Sequence, residues 1–168
     1  NVVLAKALLS KWFKDENKDG DFGAFEAGSK NIPWPIMAGF TGADLEGLRY
    51  EQLLDYQQPD NGDAFRVIPG DFVSTEDGTG IVHIAPSFGA DDMQVAKAAG
   101  IGSLTLVDNQ GKFIEGVGEF SGRYVKDYKE EENYRSVDID ISIKLKEANK
   151  AFNVQKYVHN YPHCWRTD

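Results

Sequence analysis

Three side chains with chemistry to offer, His83, Asp91 and Asp92, lie close together downstream of Gly78-Thr79-Gly80, with Ala85-Pro86 and Phe88-Gly89 between them. In a strand successive side chains alternate between faces, so Thr79, Ile81, His83 and Ala85 would share one face and His83 would sit at the strand's end. Pro86 lacks an N–H and stops such a strand. Residues 91–99 then read as a short helix closed by Gly100, with both aspartates in its first turn, where the helix dipole favours negative charge. A fixed anion there suits an ammonium ligand better than it suits proton abstraction. The plainer alternative is that the aspartates only complement the helix terminus and that His83 is a half-buried strand residue.

The rest of the chain must position these groups. Residues 6–13 carry apolar side chains at helical spacing, at Ala5, Leu8, Leu9 and Trp12, after a strand-like start over 1–5. Residues 14–23 are charged and turn-rich. Asp15, Asn17 and Asp19 resemble the opening of a calcium loop, but Phe22 and Gly23 stand where ligands are expected, which favours a solvated loop. Trp34, between Pro33 and Pro35, marks an extended or edge segment and is expected to pack between elements rather than line a pocket. Residues 39–56 mix turn and short helix, and 59–63 form a loop. Residues 64–74 read as a strand, bulged at Pro69-Gly70, that pairs with the strand ending at His83. The stretch 103–107, the turn Asp108-Asn109-Gln110-Gly111 and the return 112–114 spell a hairpin. Residues 138–150 read as a helix capped by Asp138, although Val137, Ile139, Ile141, Ile143 and Leu145 also alternate like a strand. Residues 152–159 read as a strand. Strands interrupted by helices, without a β-α-β repeat, imply an α+β domain with a mixed, barrel-like β-sheet and short flanking helices.

At 168 residues and a net charge of −9, the chain has one domain's worth of core and no broad basic face, so any RNA contact must be local. A single cysteine makes no internal disulfide, and no apolar run is long enough to span a membrane. A cytoplasmic protein fits both. His159, His163 and Cys164 supply three ligands, short of a structural zinc set, so no metal is expected. No Ser–His–Asp or Cys–His set is evident, which favours direct attack by water over a covalent intermediate.

Gly78-Thr79-Gly80-Ile81-Val82-His83, Ala85-Pro86, Phe88-Gly89 and Asp91-Asp92 together resemble the central motif of the editing domain inserted into isoleucyl-tRNA synthetase, a class I aminoacyl-tRNA synthetase. Tyr161-Pro162-His163-Cys164-Trp165-Arg166 resembles the segment in which that family's chain returns toward the synthetic domain, and Leu45-Glu46-Gly47-Leu48-Arg49-Tyr50 resembles its lead-in. The likeness covers most of the chain. The histidine and the Phe-Gly pair favour the isoleucyl family over its valyl and leucyl relatives.

The resemblance implies a single editing domain, 1–168, excised from a larger synthetase, that hydrolyses the ester of mischarged Val-tRNA(Ile) by water attack. Such a second site is needed because one methylene changes pocket binding by only ~1–3 kcal/mol, a general magnitude for which this family's isoleucine and valine pair is the standard illustration. On this reading Asp92 binds the α-ammonium and His83 limits the side-chain pocket, rejecting isoleucine. Gly78, Thr79 and Gly80 let backbone approach the terminal adenosine, and Asp91 serves the helix. The implied partners are the 3′ end of tRNA(Ile) with its aminoacyl group and the synthetic domain of the parent synthetase, with no membrane. Editing needs no cofactor. ATP and Mg belong to the synthetic domain, whose His-Ile-Gly-His and Lys-Met-Ser-Lys-Ser signatures do not occur here. The family's threonine-rich strand, commonly Thr-Thr-Thr-Pro-Trp-Thr, is also not found, so these residues alone are expected to turn over feebly or not at all. The alternative is a catalytically incomplete module that binds the tRNA 3′ end or a neighbouring domain.

Overall fold

Helix formers followed by a glycine decide the structure of residues 89–101. Helix α2, Ala90–Ala98, begins after Gly89, whose carbonyl accepts from the Met93 amide at 2.9 Å. It ends in the paired bonds of a left-handed glycine cap, Gly100 N to Lys97 O at 3.1 Å and Ile101 N to Ala96 O at 2.8 Å. The helix expected at 91–99 is therefore present, shifted by one residue. The computed structural model describes residues 1–26, 28–126 and 134–156. They fall into two units, Asn1–Gln52 with Gln58–Leu104, and Leu53–Gln57 with Thr105–Asp168.

In the first unit a 3-10 turn, Lys6–Leu8, leads into helix α1, Leu9–Trp12. Leu8 is buried, and so is Trp34, at 7% exposure. The Trp34 Nε1–H donates to the Lys14 carbonyl at 2.8 Å, and its ring centroid lies 5.6 Å from that of Phe13. Trp34 therefore packs, and burying such a side chain contributes ~1.5–3 kcal/mol. Its backbone also fixes the charged loop before it, through Trp34 N to Asn17 O at 3.2 Å and Asp19 N to Trp34 O at 2.8 Å.

Strand pairing departs from the expectation. Residues 65–67 do not pair with the stretch before His83 but run antiparallel to 47–50. The bonds are Gly47 N to Val67 O at 2.9 Å, Val67 N to Leu48 O at 2.8 Å and Tyr50 N to Phe65 O at 3.1 Å. Residues 81–85 join no ladder, because local side chains take the backbone groups at both ends. The Thr79 hydroxyl donates to Ile81 O and accepts from Ile81 N, while Ala85 N donates to the Asp92 carboxylate. Among the described residues pairing is confined to isolated bridges. Residues 1–5, 103–107 and 152–156 thus form no strand, and 157–159 lie outside the described residues.

In the second unit Val117, Phe120 and Val137 form the buried centre, and Tyr56, Leu106, Phe113 and Ile141 pack against it. The Tyr56 and Phe120 rings meet edge to face at 6.1 Å, a geometry worth ~0.5–1.5 kcal/mol beyond area. The expected hairpin is reduced to its turn and a short pairing, with Asp108 N to Lys112 O at 2.8 Å and Ile114 N to Leu106 O at 3.0 Å. Asp108 Oδ1 shapes the turn by accepting from Gln110 N and Lys112 N. Helix α3, Val137–Glu147, settles the ambiguous stretch: a strand would put Ile139 and Ile143 on the face of Val137 and Ile141, but Val137 is buried with Ile141 packed against its cluster while Ile139 and Ile143 are exposed. Asp138 lies in its first turn and is not the cap, since Ser136 holds that position.

A polar group closes this unit. Tyr56 Oη donates to Glu119 Oε2 at 2.8 Å, and Lys144 Nζ donates to Tyr56 Oη at 2.9 Å and Glu119 Oε1 at 2.5 Å. The Lys144 ammonium, then the backbone at Glu119 and the Tyr56 hydroxyl, hold the Glu119 carboxyl at about 2, below its ordinary 4.5. Lys144 is raised in return, chiefly by Glu119. A carboxyl depressed on folding stabilises fully above its unfolded value and loses that contribution as pH falls through the folded one. Glu119→Gln is therefore expected to lower the thermal midpoint slightly at neutral pH, with the gap to wild type closing as pH falls from 4.5 toward 2. Thermal melts across that window check it, and a gap that persists at the acid end refutes it.

Candidate functional site

Asp92 stands in the first turn of α2, and its side chain folds back over the helix start. Its Oδ2 accepts from the Ala85 N–H at 2.9 Å. Phe88 N and Gly89 N in turn donate to the Ala85 carbonyl at 2.9 and 3.2 Å, which closes a tight loop over 85–92. Gly89 permits the closure, because a Cβ there would stand 2.9 Å from the Asp92 carboxylate carbon. The Ser87 hydroxyl ties the loop down by donating to Leu104 O at 2.8 Å. The two adjacent aspartates thus differ: Asp92 is partly buried and bonded to backbone, whereas Asp91 is exposed.

His83 is exposed and lies two residues before the amide that Asp92 holds. Among the described residues no hydrogen bond joins His83 to Asp92.

Gly78, Thr79 and Gly80 belong to the same unit, but one side of their turn is occupied. Trp12 Nε1 donates to Gly78 O at 2.9 Å, and Ala5 N donates to Thr79 O at 2.8 Å. The Lys11 ammonium bonds Asp77 Oδ1, which also accepts from Gly78 N at 2.7 Å. Lys11, then the Gly78 amide, hold the Asp77 carboxyl below its ordinary range. Gly80 has φ +75°, and a Cβ there would stand 2.5 Å from the Ala5 Cβ. Sequence reasoning marked 5, 8, 9 and 12 as one helical face. It had no signal for the turn, 66 residues downstream, that this face meets.

A carboxylate has about four acceptor positions, so the bond to Ala85 leaves Asp92 with capacity for a cation. Among the described residues no three His, Cys, Asp or Glu side chains gather as a metal site. His159, His163, Cys164 and the whole block 161–166 lie outside the described residues. No helix among those described is long and apolar enough to cross a membrane.

No family model matches the chain. The isoleucine–tRNA ligase of Cytophaga hutchinsonii is 54% identical over 190 residues, covering 99% of this chain and 17% of that protein. The isoleucine–tRNA ligase of Bacteroides fragilis is 44% identical over 196 residues, again 99% of this chain and 17% of the relative. That of Clostridium tetani is 44% identical over 167 residues, which are 99% of this chain and 14% of the relative. The chain is homologous to one segment of an isoleucine–tRNA ligase. Within this ligase segment the bonded Asp92, the exposed His83 and the clamped turn 78–80 all fall in one compact unit.

Proposed function

We propose that this segment is the editing part of an isoleucine–tRNA ligase, an α+β domain with a barrel-like sheet that hydrolyses the ester of mischarged Val-tRNA(Ile). The observation that carries the reading is the Asp92 carboxylate, fixed by the Ala85 amide and still open to a cation. In the reaction a water oxygen adds to the ester carbonyl carbon. The carbon–oxygen bond to the terminal ribose then breaks, the ribose oxygen takes a proton, and valine leaves the tRNA. Asp92 holds the α-ammonium and so orients the carbonyl, His83 limits the side-chain pocket, and the turn Gly78-Thr79-Gly80 meets the terminal adenosine. The step uses no cofactor; ATP and Mg serve aminoacylation elsewhere in the ligase. The setting is the cytoplasm, and the partners are the 3′ end of tRNA(Ile) and the synthetic domain.

In a ligase carrying this segment, His83→Ala is expected to keep deacylating Val-tRNA(Ile) and to begin hydrolysing Ile-tRNA(Ile), by about tenfold or more over wild type. Deacylation of both charged tRNAs decides it. A variant that still spares Ile-tRNA(Ile) shows that His83 is no wall. The second reading, a module that binds without catalysis, draws on the occupied carbonyls of Gly78 and Thr79 and on exposed Ile32, Ile36, Met37 and Phe40. It expects Val-tRNA(Ile) to bind with no release of valine.

A further inference from the structure

The turn at 77–80 has little conformational preference of its own, since Gly78 at φ +70° and Gly80 at φ +75° sit in a region glycine enters and leaves freely. What holds it is the N-terminal segment. Ala5, in extended backbone just ahead of the 3-10 turn, and Trp12, at the end of α1, meet Gly80 and Gly78 respectively. Two carbonyls of the turn, Gly78 O and Thr79 O, accept from Trp12 Nε1 and Ala5 N.

A trans peptide is planar, with its C=O and N–H pointing in opposite directions, and no peptide among the described residues is cis. Turning the Gly78 carbonyl toward Trp12 therefore turns the Thr79 N–H away from it, and turning the Thr79 carbonyl toward Ala5 does the same to the Gly80 N–H. Among the described residues neither amide has a hydrogen-bond partner. Each of these N–H groups therefore points away from the donor that holds the carbonyl of its own peptide and is available to an oxygen acceptor.

We infer that Trp12 and Lys11 are positioning residues, which aim the Thr79 and Gly80 amides at the oxygens of the terminal ribose of an aminoacyl-tRNA. Trp12 fixes the orientation of the first peptide plane, and Lys11 fixes Asp77, whose carboxylate holds the Gly78 amide. The inference rests on the editing reading and adds to it the part of the chain that keeps the substrate turn in shape. Neither side chain touches substrate.

The test measures KM and kcat for deacylation of Val-tRNA(Ile) in the ligase that carries this segment, for Trp12→Phe, Lys11→Ala and Lys11→Arg, with Asp92→Ala as reference. Trp12→Phe keeps an aromatic, though smaller, ring and removes the donor. It is expected to raise KM about fivefold, the effect of one hydrogen bond, while kcat stays within about twofold. Lys11→Ala is expected to raise KM in the same way, and Lys11→Arg to restore it. A role in folding alone would lower the melting temperature and leave the KM of the folded enzyme unmoved. KM unchanged in both Trp12→Phe and Lys11→Ala, with Asp92→Ala disabled, overturns the positioning role and leaves the editing reading standing. Asp92→Ala working at the wild-type rate overturns the editing reading, and the positioning role falls with it.

Discussion

Asp92→Ala is expected to cut deacylation of Val-tRNA(Ile) by about ten- to hundredfold, and Asp91→Ala to leave it within about twofold. The difference follows from what each carboxylate does. A charge-assisted contact to the substrate ammonium is worth ~1.5–3 kcal/mol, which converts to that loss when the contact persists in the transition state. Asp91 only complements the start of α2, worth ~0.3–1 kcal/mol of stability. Asp92 also bonds the Ala85 amide, so Asp92→Ala removes a local tie as well as a charge. Asp92→Asn separates the two, because its amide oxygen can still accept from Ala85 N while the negative charge is gone. It should therefore melt near the wild-type temperature and deacylate as poorly as Asp92→Ala. Equal losses for the Asp91 and Asp92 variants would end the assignment.

The largest effect on stability is expected at a distance from that carboxylate. Gly62 has φ +87°, and a Cβ there would stand 2.5 Å from Gly102 N and 2.6 Å from Gly100 O. Both are backbone atoms in the segment that caps α2, held by Ile101 N to Ala96 O at 2.8 Å and by the antiparallel bridge of Gly62 to Ile101. Neither can move without loosening the cap. A left-handed non-glycine residue costs ~1–2 kcal/mol and an overpacked contact ~1–3 kcal/mol, so Gly62→Ala should destabilise by about 2–4 kcal/mol. Urea unfolding measures it, and a midpoint indistinguishable from wild type would contradict the packing described. Arg66 links the same region to the helix end by donating to the Ala99 carbonyl at 2.7 Å, so the loss should spread to α2.

Helices α2 and α3 were legible because their signals are local. Gly100 ends the first, and the helix formers from Leu145 on mark the second, although its cap is Ser136 and not Asp138. The turn at 108–111 was legible for the same reason, since Asp108 bonds residues two and four positions on. Pairing partners were not. Residues 65–67 have the composition of a strand, but nothing in them states whether 47–50 or 81–85 lies alongside. The choice falls to Thr79 and Asp92, whose side chains bond the backbone of 81–85 at its two ends. In the candidate site type and spacing mark His83, Asp91 and Asp92 alike, and the choice of Asp92 over Asp91 rests on the resemblance to the editing domain. The clamp on Gly78-Thr79-Gly80 was not legible, because Trp12 and Lys11 act on residues distant in sequence.

The loop closed between Ala85 and Asp92 also bears on how this part of the molecule can vary in length. Each residue of an α-helix turns it by about 100°, so one residue gained or lost between Ala90 and Asp92 would swing the carboxylate off Ala85 and bring a neighbour round in its place. Relatives align with this chain over stretches from 166 to 216 residues, so some carry insertions relative to it. They have room in the charged loop at 14–23 or the turn at 108–111, where a longer connection costs little. The start of α2 behaves instead as a ruler: it can exchange side chains, but its residue count sets which carboxylate faces the backbone.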